Sequence, residues 1–187
     1  MTQTSSSFPG ARPTTDDPPT LVEHLRDGTV VRIRPELPRD ASREQAFLSR
    51  LSSEALSYRF LGLVKESGAA TARELTSLDV PREVALVALV GDPPLETEIG
   101  VACYRLHDDG SRCDCAVTVD PAWQNKGVGR LLMRHLIGVA RAQGVRWMYA
   151  VDAVRCAGAH RLAEHLGFRS RPDPEDPAVV TFELELE

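Results

Sequence analysis

The chain has 187 residues, of which 42% are hydrophobic and 26% are charged, and its formal net charge is -5. This length favours one ordinary domain, and the near-average composition argues against a wholly disordered chain. The acidic balance disfavours a general nucleic-acid binder, because such a protein neutralises phosphates with a basic surface. The longest uncharged apolar run, over 84–91, is too short to span a bilayer. We therefore expect neither a nucleic-acid partner nor a membrane partner.

The N-terminus and the cysteines indicate a reducing compartment. Residues 1–20 are rich in Ser, Thr, Pro and Asp, which predicts a disordered N-terminal tail, and we expect the folded domain over 21–187. The first residues lack the positive charge and apolar stretch of a secretory signal, so we predict a cytoplasmic protein. Four cysteines in a chain of this length fit that compartment as free thiols.

The segment Cys113-Asp114-Cys115 raises the question of a metal ion. A structural zinc site needs two cysteines separated by two to four residues and a second pair of ligands, and the sequence offers no such second pair. We therefore interpret Cys113 and Cys115 as buried thiols on one strand and expect no metal.

The residues before 82 predict one strand and three helices. The β-branched segment 30–34 follows a turn signal and is ended by Pro35, which predicts a strand. Asp40 or Ser42 offers an N-cap for a helix that runs to about Leu51. Two further helices are predicted, one capped by Ser52 or Ser53 and one over about 69–78.

From residue 84 the hydrophobic period changes to that of strands. Strands are predicted over 84–90, 98–106 and 112–119, and the short turns between them predict an antiparallel meander. Apolar residues then recur at helical spacing from Val128 to a stop at Gly144. The last predicted elements are a strand over 147–151, a helix over 155–166 and a strand over 179–186. A strand–helix–strand connection requires a parallel pair, so we predict an α/β fold with a mixed, mostly antiparallel sheet flanked by helices.

The junction between strand and helix from Val117 to Arg130 carries the most informative motif. A helix N-terminus leaves backbone N–H groups without intrahelical partners, and its dipole favours an anion there. Gly127 and Gly129 let the backbone approach a pyrophosphate without a side-chain clash, and Lys126 and Arg130 offer charge-assisted contacts. On its own, a Gly-x-Gly pair fits a plain tight turn better. A dinucleotide fingerprint lacks its third glycine here, and a Walker loop lacks its Gly-Lys-Ser/Thr.

The full pattern Gln124-x-x-Gly127-x-Gly129, between an apolar strand and an amphipathic helix, resembles the central acyl-CoA motif of the GNAT family. The segment 160–168 looks like the late helix of that family, which ends in Leu-Gly-Phe. The order of the predicted elements matches as well. The similarity covers about residues 28–187 and implies a GNAT N-acetyltransferase domain.

Within that family, the chain resembles the acetyltransferase domain of bacterial protein-lysine acetyltransferases, on the segments 26–35 and 51–60. The resemblance implies acetyl-CoA as cosubstrate and an amine as acceptor. The implied cofactor-binding residues are Val117, Thr118, Val119, Gln124, Asn125, Lys126, Gly127, Val128, Gly129 and Arg130. The first three would pair with the pantetheine arm, and the others would surround the pyrophosphate, largely through main-chain N–H groups.

The resemblance also implies a general base. In that group, a glutamate ten positions before the first residue of the motif is the proposed base, and counting back from Gln124 gives Asp114. At about 3.3 Å per strand residue, Asp114 lies roughly 17 Å from Val119, which fits an extended pantetheine arm. A carboxylate or a water relay would help to remove the proton of a lysine amine, whose reference pKa is near 10.4. The alternative is a solvated carboxylate beside the preceding acidic turn.

Besides Asp114, which stands in place of a glutamate, two positions depart from the family pattern. Many members carry a tyrosine in the late helix as general acid, and Ala163 occupies that place. An asparagine often begins the same helix, and Cys156 stands there. Tyr58, Tyr149 and His160 are alternative acids, and the sequence leaves the choice open.

Three functions remain open on the sequence. The first is an acetyltransferase acting on an amine, with a protein lysine ranked ahead of a small-molecule amine and with acceptor specificity expected over about residues 40–70. The second is a non-catalytic module that senses acetyl-CoA. The third is a structural or interaction domain with a fortuitous turn. The oligomeric state stays open between a monomer and a homodimer.

Overall fold

A computed structural model describes residues 18–52 and 82–187. This part of the chain forms eight strands and three α-helices. The strands are β1 (Leu21–His24), β2 (Val30–Pro35), β3 (Glu83–Val90), β4 (Thr97–Leu106), β5 (Arg112–Val119), β6 (Trp147–Ala153), β7 (Arg169–Pro172) and β8 (Val179–Glu185). The helices are α1 (Ala41–Leu48), α2 (Val128–Ala142) and α3 (Ala157–Leu166). The helices predicted after Ser52 and over 69–78, and nearly all of the predicted tail, lie outside the described residues.

The strands form one sheet in the order β1-β2-β3-β4-β5-β6-β8-β7. Each neighbouring pair is antiparallel except β5 and β6, which are parallel. The predicted meander of β3, β4 and β5 is confirmed, and so is the parallel pair inside a mostly antiparallel sheet. None of the three described helices has the length and apolar character needed to cross a bilayer.

The parallel pairing of β5 with β6 is short. It joins Arg112, Cys113 and Asp114 to the first three residues of β6. Beyond Asp114, β5 continues to pair with β4 as far as Val119, whereas β6 continues to pair with β8 as far as Ala153. The two strands therefore diverge, and a wedge opens between them toward the start of α2.

Helices cover the two faces of the sheet. On one face, α2 buries Leu132 and Leu136 completely in the main core. On the other face, Phe47 of α1 packs with Leu51 and Val101 in a second cluster. Full burial of a leucine or phenylalanine side chain contributes about 1.5–3 kcal/mol, so these contacts hold both helices firmly against the sheet. The N-terminus of α2 is thereby fixed at the open end of the wedge.

Several element ends differ from their predictions. The helix predicted to reach Leu51 ends at Leu48, because the N–H groups of Arg50 and Leu51 donate to carbonyls three residues earlier and tighten the chain into a turn. The strand predicted over 147–151 extends to Ala153, and the helix predicted from 155 begins at Ala157. In each case the apolar pattern located the element but did not fix the residue at which it begins or ends.

Two strands escaped prediction, and both lie at the edges of the sheet. All four residues of β7 are exposed, so this strand shows no alternation of apolar and polar side chains. Leu21 and Val22 in β1 are both exposed, 46% and 59%. An edge strand with little buried surface leaves a weak hydrophobic signal in the sequence.

Asp40 is the N-cap residue of α1, as predicted, but its carboxylate accepts no hydrogen bond from the backbone N–H groups of that helix and instead anchors the segment before it. Its carboxylate accepts two hydrogen bonds from Arg34, at 2.6 and 2.8 Å, one from the Leu37 N–H at 2.9 Å, and one from Arg43. Asp40 is only 1% exposed. Burial acts to raise the pKa of Asp40, but the hydrogen bonds from Arg34 and Leu37 and the charges of Arg34 and Arg43 outweigh it, and the pKa is lowered.

Replacing this carboxylate tests the anchor. Asp40→Asn should lower the free energy of unfolding at pH 7 by about 3 kcal/mol, because Arg34 keeps its charge in a buried site. Since the folded-state pKa is depressed, this stabilisation is full above the ordinary value of 3.8 and is lost as the pH falls through the folded-state pKa. Denaturant unfolding at pH 7 and below pH 4 should therefore show the difference between wild type and variant shrinking in acid.

Asp92→Asn is the matched control, because Asp92 is fully exposed and lies 3.7 Å from Arg32. It should leave unfolding almost unchanged at either pH. An Asp40→Asn protein as stable as wild type at pH 7 would contradict the anchoring role.

Candidate active site

The wedge between β5 and β6 widens into a cavity of about 880 Å³. Its walls are the end of β5, residues Ala150–Asp152 of β6, α3 and the turn that precedes α2. The turn between β1 and β2, at residues 24–27, closes one side. The volume and shape suit an extended ligand that enters between the strands.

The turn between β5 and α2 is held in a defined conformation. Asn125 and Gly127 both have positive φ, at 59° and 99°, which brings the chain back toward the sheet. The side-chain amide of Gln124 donates to the Val119 carbonyl at 3.2 Å and ties the turn to the end of β5. Gln124 therefore shapes the turn with its side chain, which leaves its main chain available to a ligand.

The first turn of α2 presents a positive end to the cavity. Its N-cap is Gly127, which has no side chain to accept from the helix, and the first turn carries no acidic residue. The first N–H groups of a helix lack intrahelical acceptors, so this end is suited to an anion. Lys126 stands beside it, with its ammonium nitrogen 4.6 Å from the centre of the Trp123 ring.

Basic side chains predominate in the charged lining of the cavity. They are Arg26, Lys126, Arg130, Arg134 and Arg161, against the acidic Asp27 and Asp152. Together with the end of α2, they give the cavity a positive field inside a protein of net negative charge. Such a field favours a ligand that carries phosphate groups.

A network centred on Arg50 fixes the base of the turn. The Nε of Arg50 donates to Asp120 at 2.6 Å, and an Nη donates to the Glu98 carbonyl, also at 2.6 Å. Asp120 is 5% exposed, and its other oxygen accepts the N–H of Ala122 at 2.9 Å. Arg50 thus connects the end of α1 with the first residues of the turn.

Gly100 allows α2 to approach the sheet closely. A Cβ at this position would lie 3.0 Å from the Thr118 carbonyl oxygen and 3.1 Å from a methyl group of Leu132. Both distances are shorter than ordinary van der Waals contact, so a side chain here would push β5 and α2 outward. The start of α2 is therefore set by an absent side chain on the neighbouring strand β4.

Asp114 lies just beyond the narrow end of the cavity. Cys115 lines the cavity, and Asp114 is the next residue back along β5, at the last position where β5 pairs with β6. Its side chain is 47% exposed, and its Oδ2 lies 3.0 Å from Nε2 of His107. The predicted base therefore stands at the closed end of the wedge, in contact with a histidine that the sequence analysis did not single out.

The two cysteines beside Asp114 point into the core. Cys113 is fully buried and Cys115 is 5% exposed, on the face covered by α2. Burial raises the pKa of Cys113 to about 12, with a smaller effect from the charge of Asp114, and burial raises the pKa of Cys115 as well. Both side chains are therefore neutral core thiols at physiological pH.

The side chains of α3 near the cavity are small or are packed against the sheet. Ala163, at the place of the family tyrosine, is 8% exposed and packs against Val180 and Phe182. Cys156 borders the cavity, and burial raises its pKa. His160 lies 3.1 Å from the Val154 carbonyl and meets the Phe182 ring edge-on, so it holds the helix in place.

Most of the predicted cofactor-binding residues come together around the cavity. Those that line it are Val117, Thr118, Val119, Gln124, Asn125, Lys126, Gly127, Gly129 and Arg130. Val128 is 1% exposed and belongs to the core, so its side chain anchors α2 and only its main chain faces the turn. Of the alternative acids, Tyr149 lies on β6 opposite Asp114, and Tyr58 falls outside the described residues.

Sequence reasoning missed three contributors to this site. Arg50 and the turn at 24–27 come from distant segments, and nothing in their local pattern indicates the cavity. His107 follows an apolar strand and precedes an acidic turn, so its composition reads as a hairpin end. The packing of α1 on the sheet brings Arg50 to the turn, and the order and register of the strands bring the other two to the wedge.

Comparison with known proteins agrees with this arrangement. A family model described as the acetyltransferase (GNAT) family matches residues 57–168, which is more than half of the chain. The chain therefore belongs to the GNAT acetyltransferase family, whose members use acetyl-CoA as cosubstrate.

Individual relatives support the same assignment. Acetyltransferase PA5475 of Pseudomonas aeruginosa is 39% identical over 165 residues, which cover 88% of this chain and 89% of the relative. The GNAT domain of S. lividans PAT is 25% identical with a TM-score of 0.75, and the match covers 89% of this chain and 97% of that domain. A cAMP-binding acyltransferase from Mycobacterium smegmatis is 22% identical with a TM-score of 0.63. That match covers 91% of this chain and 48% of the other, and it supports the fold alone.

Proposed function

We propose that this protein transfers an acetyl group from acetyl-CoA to an amine, and that a protein lysine is a better acceptor than a small-molecule amine. The observation that carries the proposal is the wedge. It joins a positive, uncapped helix N-terminus at its open end to a carboxylate at its closed end. The proposed phosphate site and the proposed base thus lie at opposite ends of the segment of β5 that diverges from β6.

The wedge fits the two halves of the cosubstrate. At its open end, the main chain from Gln124 to Gly129 and the side chains of Lys126 and Arg130 would hold the pyrophosphate. Along its side, residues Val117–Val119 have a backbone edge that faces away from β4 and is not paired with β6. That edge would pair with the amide groups of pantetheine.

Asp114 is suited to remove a proton from the acceptor. Acetyl-CoA supplies an activated thioester, and an amine must be neutral to attack its carbonyl carbon. An acceptor that arrives as an ammonium ion loses one proton before the attack, and Asp114 would take that proton directly or through a water molecule. The new C–N bond replaces the C–S bond, and the CoA thiolate takes up the second proton that the nitrogen loses as the amide forms.

The preference for a protein lysine over a small-molecule amine comes from the name of a similar protein. The S. lividans protein whose GNAT domain is similar to this chain is named as a protein acetyltransferase. That name supports a protein acceptor for this chain. The half-exposed carboxylate of Asp114, which a lysine side chain could reach from solvent, agrees with it.

A second candidate is a sensor that binds acetyl-CoA without turnover. Ala163 in place of the family tyrosine and the short carboxylate of Asp114 favour it. Steady-state release of CoA thiol with lysine peptides and a panel of small amines separates the two functions. An enzyme releases CoA in proportion to time and acceptor, whereas a sensor binds acetyl-CoA and releases none above background.

Gly129→Val tests the binding half of the proposal. A Cβ at Gly129 would lie 3.5 Å from both Val119 and Leu162, so the branched methyl groups would extend into the wedge. Affinity for acetyl-CoA, measured by isothermal titration, should fall at least about tenfold. Gly138→Val is the control, because this glycine lies in the same helix, is exposed and has open space around it. Equal affinities for the two variants would contradict the assignment of the pyrophosphate turn.

Asp114→Asn tests the chemical half. The substitution keeps the shape and removes the basic group, so affinity for acetyl-CoA should stay the same while turnover of a lysine peptide falls by about a hundredfold or more at neutral pH. The defect should shrink toward pH 10, because more of the acceptor amine is then already neutral. Rates across pH 6 to about 10, measured on folded protein, give the comparison.

Asp109→Asn is the matched control, since Asp109 lies on the adjacent hairpin turn and pairs with Arg112. It should turn over like wild type. A carboxylate at 114 that served folding alone would instead give lower thermal stability with unchanged turnover per folded molecule. Wild-type rates for Asp114→Asn at neutral pH would remove Asp114 from the mechanism.

A further inference from the structure

The cavity extends from the pyrophosphate turn along the two helices that flank it. On α2 its lining includes Gly129, Arg130 and Arg134, and on α3 it includes Arg161 and Leu162. A Cβ at Gly129 would lie 3.5 Å from a methyl group of Leu162, so the two helices approach each other closely at this point. The three arginines therefore lie along the walls of one groove between α2 and α3.

These arginines have no carboxylate beside them. Within the part of the chain that the structure describes, the guanidinium groups of Arg130, Arg134 and Arg161 make no hydrogen bond or ion pair. Arg50, by comparison, binds Asp120 at 2.6 Å. The carboxylates of the cavity lining come from the β1–β2 turn and from β6, so neither helix contributes one to the groove. The groove is therefore a site of uncompensated positive charge.

The sequence of α2 places these charges where they weaken the helix. The helix contains no Asp or Glu, and Arg130 lies in its first turn, where the positive end of the helix dipole disfavours a cation. Arg134 follows four residues later on the same side, and like charges at that spacing repel each other. A bound anion would offset both effects. A ligand thus explains the two arginines better than the stability of α2 does.

The groove lies beside the pyrophosphate turn and is distinct from it. Arg134 is four residues beyond Arg130, which corresponds to about 6 Å along the helix axis. Side chains of a helix tilt toward its N-terminus, so the Arg134 guanidinium reaches back along α2. Arg161 belongs to the facing helix. A phosphate held between Arg134 and Arg161 would therefore be a neighbour of the pyrophosphate and would not replace it.

Acetyl-CoA carries a phosphate that suits this position. Besides the pyrophosphate, it has a 3′-phosphate on the ribose of its adenosine, and a phosphate monoester carries a charge of about -1.5 to -2 at pH 7. With the pyrophosphate on the turn and pantetheine directed along β5, the adenosine would lie on the outer side of the turn, next to α2 and α3. Arginine binds phosphate through two parallel N–H groups and keeps its charge at physiological pH.

We propose that Arg134 and Arg161 form a second phosphate subsite, which binds the 3′-phosphate of acetyl-CoA and selects CoA thioesters over those of dephospho-CoA. This inference rests on the proposed function and adds to it two residues outside the pyrophosphate turn. Both side chains are exposed, so they are accessible to a ligand that enters from solvent. The pyrophosphate would fix the position of the cosubstrate, and the second subsite would determine which nucleotide end is accepted.

Two ligands that differ only by this phosphate test the subsite. Isothermal titration at fixed ionic strength gives the affinities for acetyl-CoA and for acetyl-dephospho-CoA, and wild type should prefer acetyl-CoA by about ten- to a hundredfold. In the double variant Arg134→Gln/Arg161→Gln the two affinities should become nearly equal. This change should come from weaker binding of acetyl-CoA, with the affinity for acetyl-dephospho-CoA retained. Circular dichroism and thermal melting establish that the variant is folded.

Arg141→Gln is the matched control, because it removes the same charge from the same helix. Arg141 is exposed in the last turn of α2 and does not line the cavity. It lies about 10 Å further along the helix axis than Arg134, which exceeds the screening length of about 8 Å at physiological salt. The preference for acetyl-CoA should therefore stay as in wild type.

Three results would overturn the subsite: equal affinity of wild type for the two thioesters, a wild-type preference in the double variant, or the same loss of preference in Arg141→Gln. Failure of the proposed function gives a different pattern. A protein that shows the expected preference but releases no CoA with any amine would contradict acetyl transfer and support the subsite. A protein that turns over and binds both thioesters equally would contradict the subsite alone, and one that binds neither would contradict both.

Discussion

The divergence of β5 from β6 is the constraint on which the site depends. A parallel pair of three residues on each strand is short, and each strand leaves it for a stronger antiparallel partner, β4 in one case and β8 in the other. The right-handed twist of the sheet then separates the two strands. The resulting wedge provides an unpaired backbone edge, a cavity and a closed end, all from the topology of the sheet.

The position of α2 at the open end of the wedge is fixed by its packing on the sheet. Its apolar face is fully buried, Gly100 lets it lie close to the sheet, and Arg50 fixes the start of the preceding turn through Asp120. A turn that is already ordered would lose little entropy on binding a ligand. Arg50 follows α1 by two residues, so the turn before α2 and the end of α1 share one anchor.

Much of this architecture could be predicted from the sequence. The alternation in β3, β4 and β5 and the helical period of α2 are strong because each element buries one face, and the motif turn lies where two glycines and a lysine indicate it. The edge strands β1 and β7 could not be predicted, since their side chains are mostly exposed. Asp40 lies at the predicted N-cap of α1, but the sequence did not indicate that its carboxylate would bind Arg34, six residues earlier, instead of the helix N–H groups.

The candidate site could be predicted only where its residues are contiguous in the sequence. The structure places most of the residues from Val117 to Arg130 around one cavity, and their role in binding acetyl-CoA stays a prediction. The contact of Arg50 with Asp120 depends on how the end of α1 packs on the sheet, and the contact of His107 with Asp114 depends on the register of β4 and β5. Local composition indicates neither the packing nor the register, so these supporting residues emerged only with the fold.

The most direct measurement is a crystal structure of the protein with acetyl-CoA. We expect the pyrophosphate on the main-chain N–H groups at residues 124–129, pantetheine along the edge of Val117–Val119 that does not pair with β6, and the thioester at the narrow end of the wedge beside Asp114. A cosubstrate bound outside the wedge, or a thioester at the far end from Asp114, would contradict this arrangement.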